Sequence, residues 1–266
     1  MQDVQLEERA ANRGGYVQSL VRALGLLDQL ADHEEGLTLT QMARRVALPR
    51  STTHRLLTTM ESMRYVAFDS GNGRWGVGTR ALALANALEA ARIGSIARPV
   101  LQSLQASAGA TASIATPEDG RVRYAGQARL AGDRCSAAKV GDRLPMHTTA
   151  TGKAILASWP TPKLAAYLRQ TPLEARTACS LTRADALARE LELVRRRGFA
   201  VDDQETKPGV RCLAAIVLDR DGEARAAVGI TCPIGEAPDS RLPFLGASVR
   251  TSARRLAEAF GQPAAA

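Results

Sequence analysis

Apolar residues recur along this chain with two different periods, and the change of period divides it. Over 18–31 they stand at Leu20, Val21, Leu24, Leu27, Leu30 and Ala31, the spacing of a helix with one apolar stripe. Gly36 follows as a stop. Thr38 with Gln41 three residues later has the form of a capping box, in which each side chain satisfies the other's backbone amide. It predicts a second helix over about 39–46 that buries Leu39, Met42, Ala43 and Val46 and leaves Arg44 and Arg45 outside. Ala47-Leu48 reads as a turn. Pro49 suits the first position of a third helix, because its missing N–H needs no partner there. The inward stripe of that helix is Thr53, Leu56, Leu57, Met60 and Met63. Thr52, Arg55 and Thr59 fall on its other side, with Arg50 and Ser51 at the open end. Two short strands, 65–68 and 74–77, then flank an Asn-Gly turn and predict a hairpin.

From residue 79 the pattern changes. Residues 79–91 have high helix propensity and no breaker, with leucine and small residues on more than one face. Such a helix needs something to pack on, and a twin helix from a second copy is the simple candidate. A helix over 96–108 with Val100, Leu101, Leu104 and Ala108 inward follows. After Gly109 alternation predicts strands over 111–115, 122–125 and 136–140, with Gly141-Asp142-Arg143 as a loop. Residues 145–157 enter another helix. Leu187, Leu191 and Val194 mark one more before Gly198. Strands over 212–218 and 226–231 flank the turn Asp219-Arg220-Asp221-Gly222, and Leu245, Val249, Ala253, Leu256 and Phe260 line a final helix. The mixture predicts an α+β chain in which an antiparallel sheet carries helices on a face or end.

Composition adds a class. The 266 residues are 45% hydrophobic and 23% charged, enough for two ordinary domains with cores of their own. No apolar run approaches the roughly 20 residues that span a bilayer. The first eight residues are acidic and polar, unlike a secretory signal, so a cytoplasmic protein with no membrane partner is the expectation. Net charge is +8, and it is concentrated. Between Thr40 and Arg80 stand seven arginines against Glu61 and Asp69. That is the balance of a surface for a polyanion.

These features fit a helix-turn-helix with a wing. The open end of the third helix offers free amides and a positive dipole to a phosphate. Arginine there can take guanine bidentately, and threonine can meet a thymine methyl. Arg74, just past the hairpin tip, is placed like a wing residue. A second copy would supply the other half-site.

The rest of the chain shows no enzyme. Gly152-Lys153 has the look of a phosphate loop, but Ala154 brings no hydroxyl for magnesium, and His147 stands where the earlier glycine belongs. Asp202, Asp203 and Glu205 cluster without spaced histidines. Cys135, Cys179, Cys212 and Cys232 form no paired ligand motif and read as reduced thiols, mostly buried. No metal, cofactor or catalytic group is expected. A binding pocket fits better. Residues 148–152 are small and hydroxyl-bearing at a helix start, which suits a carboxylate. The bland alternative is that Thr149 and Thr151 only cap the helix. Gly229 and Thr231 share one face of the last strand, and the glycine leaves room for a ligand.

On residues 48–57, 74–78, 144–157 and 198–215 the chain resembles the IclR family of bacterial transcriptional regulators, from about Gln18 to Gly261. The resemblance implies a flexible start (1–15), a winged helix-turn-helix domain (16–78), a linker helix (79–95), a GAF-like effector-binding domain (96–261) and a short flexible tail (262–266). It implies a homodimer, often paired into a homotetramer, acting as a regulator or repressor on operator DNA near a catabolic operon. Arg45, Arg50, Ser51, Thr52, His54, Arg55 and Arg74 are the expected DNA-binding residues. Residues matching the family's effector contacts are Ala150, Thr151, Asp202, Cys212, Gly229 and Thr231, with Ser136 and Leu144 lining the same cavity. The effector implied is a small organic acid or aromatic metabolite. Relatives that take very small keto acids carry a hydroxyl where Gly229 stands and a glycine where Ala150 stands. That leans toward a larger or aromatic acid here. The alternative is a ligand-independent repressor whose second domain serves only oligomerisation.

Overall fold

The computed structural model describes residues 16–133, 135 and 138–260, so Ser136 and the two end segments lie outside it. The chain forms two compact units, Met1–Ala87 and Leu88–Ala266. In the first, three helices, α1 (Gln18–Ala31), α2 (Leu39–Arg45) and α3 (Arg50–Ser62), precede a hairpin of β1 (Val66–Asp69) and β2 (Arg74–Val77). Leu26, Leu30, Leu37, Met42, Leu57 and Trp75 are its core. The capping box forms as expected: the Thr38 hydroxyl accepts from the Gln41 amide at 3.3 Å, and Gln41 Oε1 accepts from the Thr38 amide at 2.8 Å. The hairpin pairs Asp69 with Arg74. Leu37 and Trp75 exchange backbone hydrogen bonds of 2.9 and 2.8 Å, which ties the hairpin to the chain ahead of α2.

Three details differ from the sequence reading. Pro49 is the residue before α3 rather than its first residue, and no side chain caps the helix there. Met63 is exposed, because α3 ends at Ser62 and Arg64 turns the chain with φ +62°. Leu20 and Leu24 are exposed too, so α1 carries apolar surface beyond the face it buries.

The helices expected at 79–95 and 96–108 are one, α4 (Thr79–Ala108), of 30 residues. Pro99 lies inside it. The lost amide bond is offset by packing, since Ile93, Ala97, Val100, Leu101 and Leu104 are all buried around it.

The second unit is built on a six-stranded sheet in the order β5-β4-β3-β8-β7-β6. The strands are β3 (Thr111–Glu118), β4 (Arg121–Ala128), β5 (Arg143–Pro145), β6 (Ala200–Asp203), β7 (Val210–Leu218) and β8 (Ala224–Pro233). All neighbours are antiparallel. Alternation sends Leu213, Ala215, Val228 and Ile230 to one face, where they pack with α4 and a last helix α8 (Leu242–Phe260). Ala115, Val122, Ala214 and Ala227 face the other way, toward α5 (Ala150–Ser158), α6 (Thr161–Gln170) and α7 (Ala184–Arg197). The helices therefore cover both faces.

The strand expected at 136–140 is not there among the described residues. The edge strand is β5, in a segment read partly as loop, and Val140 lies in a turn. Gly141 N donates to Tyr124 O at 2.8 Å, and Tyr124 N to Asp142 O at 3.0 Å, which holds that turn on β4. Two elements were not foreseen. β6 hides behind Asp202 and Asp203, whose charge breaks the apolar pattern, and α6 behind Pro160 and Pro162.

The sheet has a bulge between β3 and β4. Ile114 pairs with Gly126 and Ala115 with Tyr124, so Ala125 is the extra residue on β4. Gly94 of α4 sits on it. A Cβ at Gly94 would lie 2.1 Å from the Ala125 carbonyl oxygen, so only glycine fits this crossing without displacement.

Replacing Thr38 with alanine removes the capping box. The expected cost is about 1 kcal/mol, read from the midpoint of urea unfolding, with the denaturant slope unchanged.

Candidate functional site

The first unit presents a helix end. The first amides of α3 have no side-chain cap, and Thr53 N already donates to Pro49 O at 3.0 Å. Arg50, Ser51, His54 and Arg55 are exposed there, and Thr52 is half-buried. Thr53 is fully buried, and its hydroxyl donates back to the Pro49 carbonyl at 3.1 Å, so its polar atom is satisfied inside the core. His54 meets Trp75 edge-on at 6.4 Å between ring centroids, which sets the hairpin beside α3. Arg45 is exposed and reaches Gln29 Oε1 at 3.4 Å.

Arg74 differs from the expectation of a free wing residue. It is half-buried, and its Nη1 donates to the Gly36 carbonyl at 2.9 Å. The chain ahead of α2 passes close to β2 and supplies that acceptor. At the hairpin tip, residues 70–73 are exposed.

The second unit holds a cleft of about 450 Å³, its open mouth included, on the sheet face that α5 covers. Leu144, Ala150, Thr151, Asp202, Cys212, Gly229 and Thr231 all line it. The structure thus brings together every expected effector residue within its described range. It adds Ser113, Tyr124, Thr206 and Lys207, which sequence reading missed. Tyr124 carried a signal: it alternates with buried Val122 on a strand already expected. Lys207 donates to the Cys135 carbonyl at 3.4 Å.

The α5 start separates two hydroxyls that the sequence left equivalent. Thr149 is the cap: it accepts from the Gly152 amide at 3.1 Å and donates to the Pro145 carbonyl at 3.1 Å. Thr151 does neither. It is 4% exposed, and its buried Oγ1 meets no partner at full hydrogen-bond geometry among the described residues, with the Tyr124 hydroxyl standing close enough to interact with it. A buried hydroxyl without a partner costs on the order of 1–3 kcal/mol, and a ligand oxygen would relieve it.

Gly229 plays a different part from the one expected. A Cβ there would lie 2.5 Å from the Leu213 carbonyl oxygen and 2.9 Å from Ala214 Cβ. The glycine serves the close approach of β8 to β7. It frees no volume for a larger ligand.

Beneath the cleft lies a charged network. Lys153 is 1% exposed, and its ammonium is bonded to Glu205, with Glu190 at 3.6 Å. Arg197 reaches Glu190 at 2.6 Å. Asp202 Oδ1 accepts from the Glu205 and Thr206 amides at 2.7 and 3.2 Å, and the Thr206 hydroxyl donates to the Thr148 carbonyl at 2.8 Å. Burial pushes the Glu205 carboxyl up, and the Lys153 ammonium pulls it partly back. Burial also raises Asp202. Cys212 lies 3.4 Å from the Thr231 hydroxyl and is raised by its surroundings, so it stays a thiol. Tyr124 is half-buried, and the protein packed around its hydroxyl raises it, so it stays a neutral phenol. Of the other cysteines, Cys232 is buried, Cys135 is half-buried and Cys179 exposed. Among the described residues no group of three or more His, Cys, Asp or Glu is placed to hold a metal ion, and no helix is long and apolar enough to cross a membrane.

Lys153→Met strands the buried Glu205 carboxylate, while Glu190 keeps Arg197, so it should destabilise the chain by about 3–5 kcal/mol in chemical unfolding. Adding Glu205→Gln to it should recover part of that loss, because the stranded charge is removed.

Two family models match this chain: the IclR helix-turn-helix domain over residues 19–70 and the bacterial transcriptional regulator IclR C-terminal domain over 85–258. The transcriptional repressor IclR of Escherichia coli is 34% identical over 250 residues, covering 93% of this chain and 91% of the relative. The regulator BhcR of Paracoccus denitrificans is 33% identical over 264 residues, covering 95% and 94%. The solved structure of the Agobacterium tumefaciens repressor BlcR is 30% identical, with TM-score 0.58 over 92% of this chain and 98% of that one. The IclR of Thermotoga maritima, 21% identical with TM-score 0.63 over 93% and 100%, shows the same fold. With both units matched in order, the chain belongs to the IclR family of bacterial transcriptional regulators, with a helix-turn-helix DNA-binding domain.

Proposed function

We propose that this protein is a ligand-responsive repressor that binds operator DNA through α3 and a small organic acid through the cleft at the start of α5. The uncapped end of α3, with Arg50, Ser51, Thr52 and Arg55 around it, supports the DNA reading. Arg45, His54 and Arg74 complete the proposed DNA surface, with Arg74 acting through the hairpin it fastens. Relatives named repressors, among them the acetate operon repressor of Salmonella typhimurium at 33% identity, support repression.

The observation that carries the ligand reading is Thr151. Its buried hydroxyl, with only the Tyr124 side chain beside it, lines the cleft next to the first turn of α5, where backbone amides and the helix dipole favour an anion. We assign Ala150, Thr151, Asp202, Cys212 and Thr231 to ligand contact, with Leu144 as apolar wall and Gly229 as spacer. Ser136 stays a proposed lining residue on the family resemblance alone. Neutral Tyr124 and Cys212 add no negative charge to repel a carboxylate.

A second copy of the chain belongs to this reading. Leu84 and Leu88, four residues apart on one side of α4, are more than half exposed, and a second copy of the chain would cover them; Leu82, on the other side, is exposed too. Two copies also supply two α3 helices for two half-sites.

Arg55→Ala should weaken operator binding by about 1–3 kcal/mol if Arg55 reads a base, measured by fluorescence anisotropy at fixed salt. An unchanged curve removes that assignment. Thr151→Val, which keeps shape and deletes the hydroxyl, should weaken binding of a small acid about tenfold, or about 1.4 kcal/mol, in calorimetry. Equal affinity in the two proteins would place the ligand elsewhere.

A further inference from the structure

Lys207 lines the cleft from the turn between β6 and β7. The main chain there is fixed on both sides. Thr206, just before it, donates its hydroxyl to the Thr148 carbonyl at 2.8 Å, and the Val210 amide donates to the Lys207 carbonyl at 3.3 Å. Pro208 follows directly and removes a further backbone freedom. The side chain is half-buried, and its ammonium donates to the Cys135 carbonyl at 3.4 Å. A neutral carbonyl offsets less of an ammonium's charge than a carboxylate does.

The ionisable side chains of the lining are Tyr124, Asp202, Lys207 and Cys212. Burial keeps Tyr124 a neutral phenol and Cys212 a thiol. Asp202 has compensation of its own, from the two amides on its Oδ1 and from the Lys153 ammonium beneath the cleft. Lys207 is therefore the one cation among the described lining residues, and Asp202 is held by other groups.

The ammonium also stands apart from the Thr151 hydroxyl along the sheet. Cys135, which it meets, donates its amide to Asp133 Oδ1 at 2.7 Å, and Asp133 Oδ2 accepts from the Thr111 hydroxyl at 2.6 Å. Thr111 opens β3 and pairs with Thr231, a lining residue. The Thr151 hydroxyl stands beside Tyr124, which pairs with Ala115 farther along the same strand. From Thr111 to Ala115 is roughly 13 Å of strand. The cleft thus offers negative charge two attractions, the start of α5 with Thr151 and the ammonium of Lys207, fastened to different stretches of β3.

We propose that Lys207 is a second anion anchor and that the ligand is a dicarboxylic acid, with one carboxylate at the start of α5 and the other on the Lys207 ammonium. This rests on the reading of the cleft as a small-acid site, and it names the class of acid. A single ammonium matches the charge of one carboxylate, whereas a phosphate would bring about −1.5 to −2. Length selects as well, because an acid too short to reach both anchors gains nothing from Lys207.

The test is calorimetry on the full-length protein with matched pairs of acids: glutarate with pentanoate, adipate with hexanoate, and terephthalate with benzoate. In the wild type at least one diacid should bind about tenfold tighter than its monoacid. Lys207→Gln should weaken that diacid about tenfold and leave the monoacid within about twofold, which abolishes the preference. Lys207→Arg keeps the charge and should keep a preference for the diacid. Lys207→Met, also uncharged, serves if Lys207→Gln fails to fold. Three results would overturn the second anchor and leave the cleft an acid site: monoacids that bind as tightly as their diacids in the wild type, a diacid preference that survives in Lys207→Gln, or an equal loss for both members of a pair. Binding of none of these acids would overturn the anchor and the small-acid reading together.

Discussion

A buried ammonium sets the constraint on which the second unit depends. Lys153 sits on a helix whose residues from Ala150 to Ala157 are all buried, so its charge has no route to water. It is tolerable only because Glu205 and Glu190 come to it from two other elements, the turn after β6 and helix α7. That requirement fixes the turn after β6. Asp202 then gathers the amides of Glu205 and Thr206, and Thr206 reaches across to Thr148, just before α5. The cleft wall is thereby tied on both sides of the α5 start. Gly152 completes the arrangement, because a Cβ there would lie 2.3 Å from the Met146 backbone.

This explains why Thr151 is left facing the cleft. Thr149 is spent on the cap, and Thr206 on Thr148, so the rigid frame leaves the Thr151 hydroxyl at the cleft with only the Tyr124 side chain beside it. A hydroxyl held at a helix start by a frame of buried ion pairs is the kind of preorganised donor that suits an anion. The first unit follows the same logic on a smaller scale. Capping box and Leu37–Trp75 pairing fix α2 and the hairpin, and α3 is left with open amides and arginines.

What could be read from sequence was whatever has a local signature. Thr38 and Gln41 announce their capping box, and alternation announces β7 and β8. Of the cleft, Leu144, Ala150, Asp202 and Cys212 came from family resemblance, and Thr151, Gly229 and Thr231 from local pattern as well, while Ser113, Tyr124, Thr206 and Lys207 were missed. What could not be read depends on partners distant in the chain. Lys153 looked like a failed phosphate loop because Glu205 and Glu190 are 52 and 37 positions away. Arg74 looked like a free wing residue because its acceptor is the Gly36 carbonyl, which has no sequence mark. Gly229 looked like space for a ligand because nothing in the sequence says that Leu213 and Ala214 lie against it. The union of two helices into α4 was missed because the change of pattern near residue 95 was read as a domain boundary, and a helix that runs from one unit into the next carries no local mark of it.

The central claim is that occupancy of the cleft changes how the protein holds DNA. Its most direct test is a mobility-shift titration of the wild-type protein on the DNA upstream of its neighbouring genes, with and without a panel of small aliphatic and aromatic carboxylic acids. The account predicts that at least one acid shifts the midpoint several-fold. Tight DNA binding that no acid in the panel alters would contradict it, and would favour a repressor whose second unit serves assembly alone.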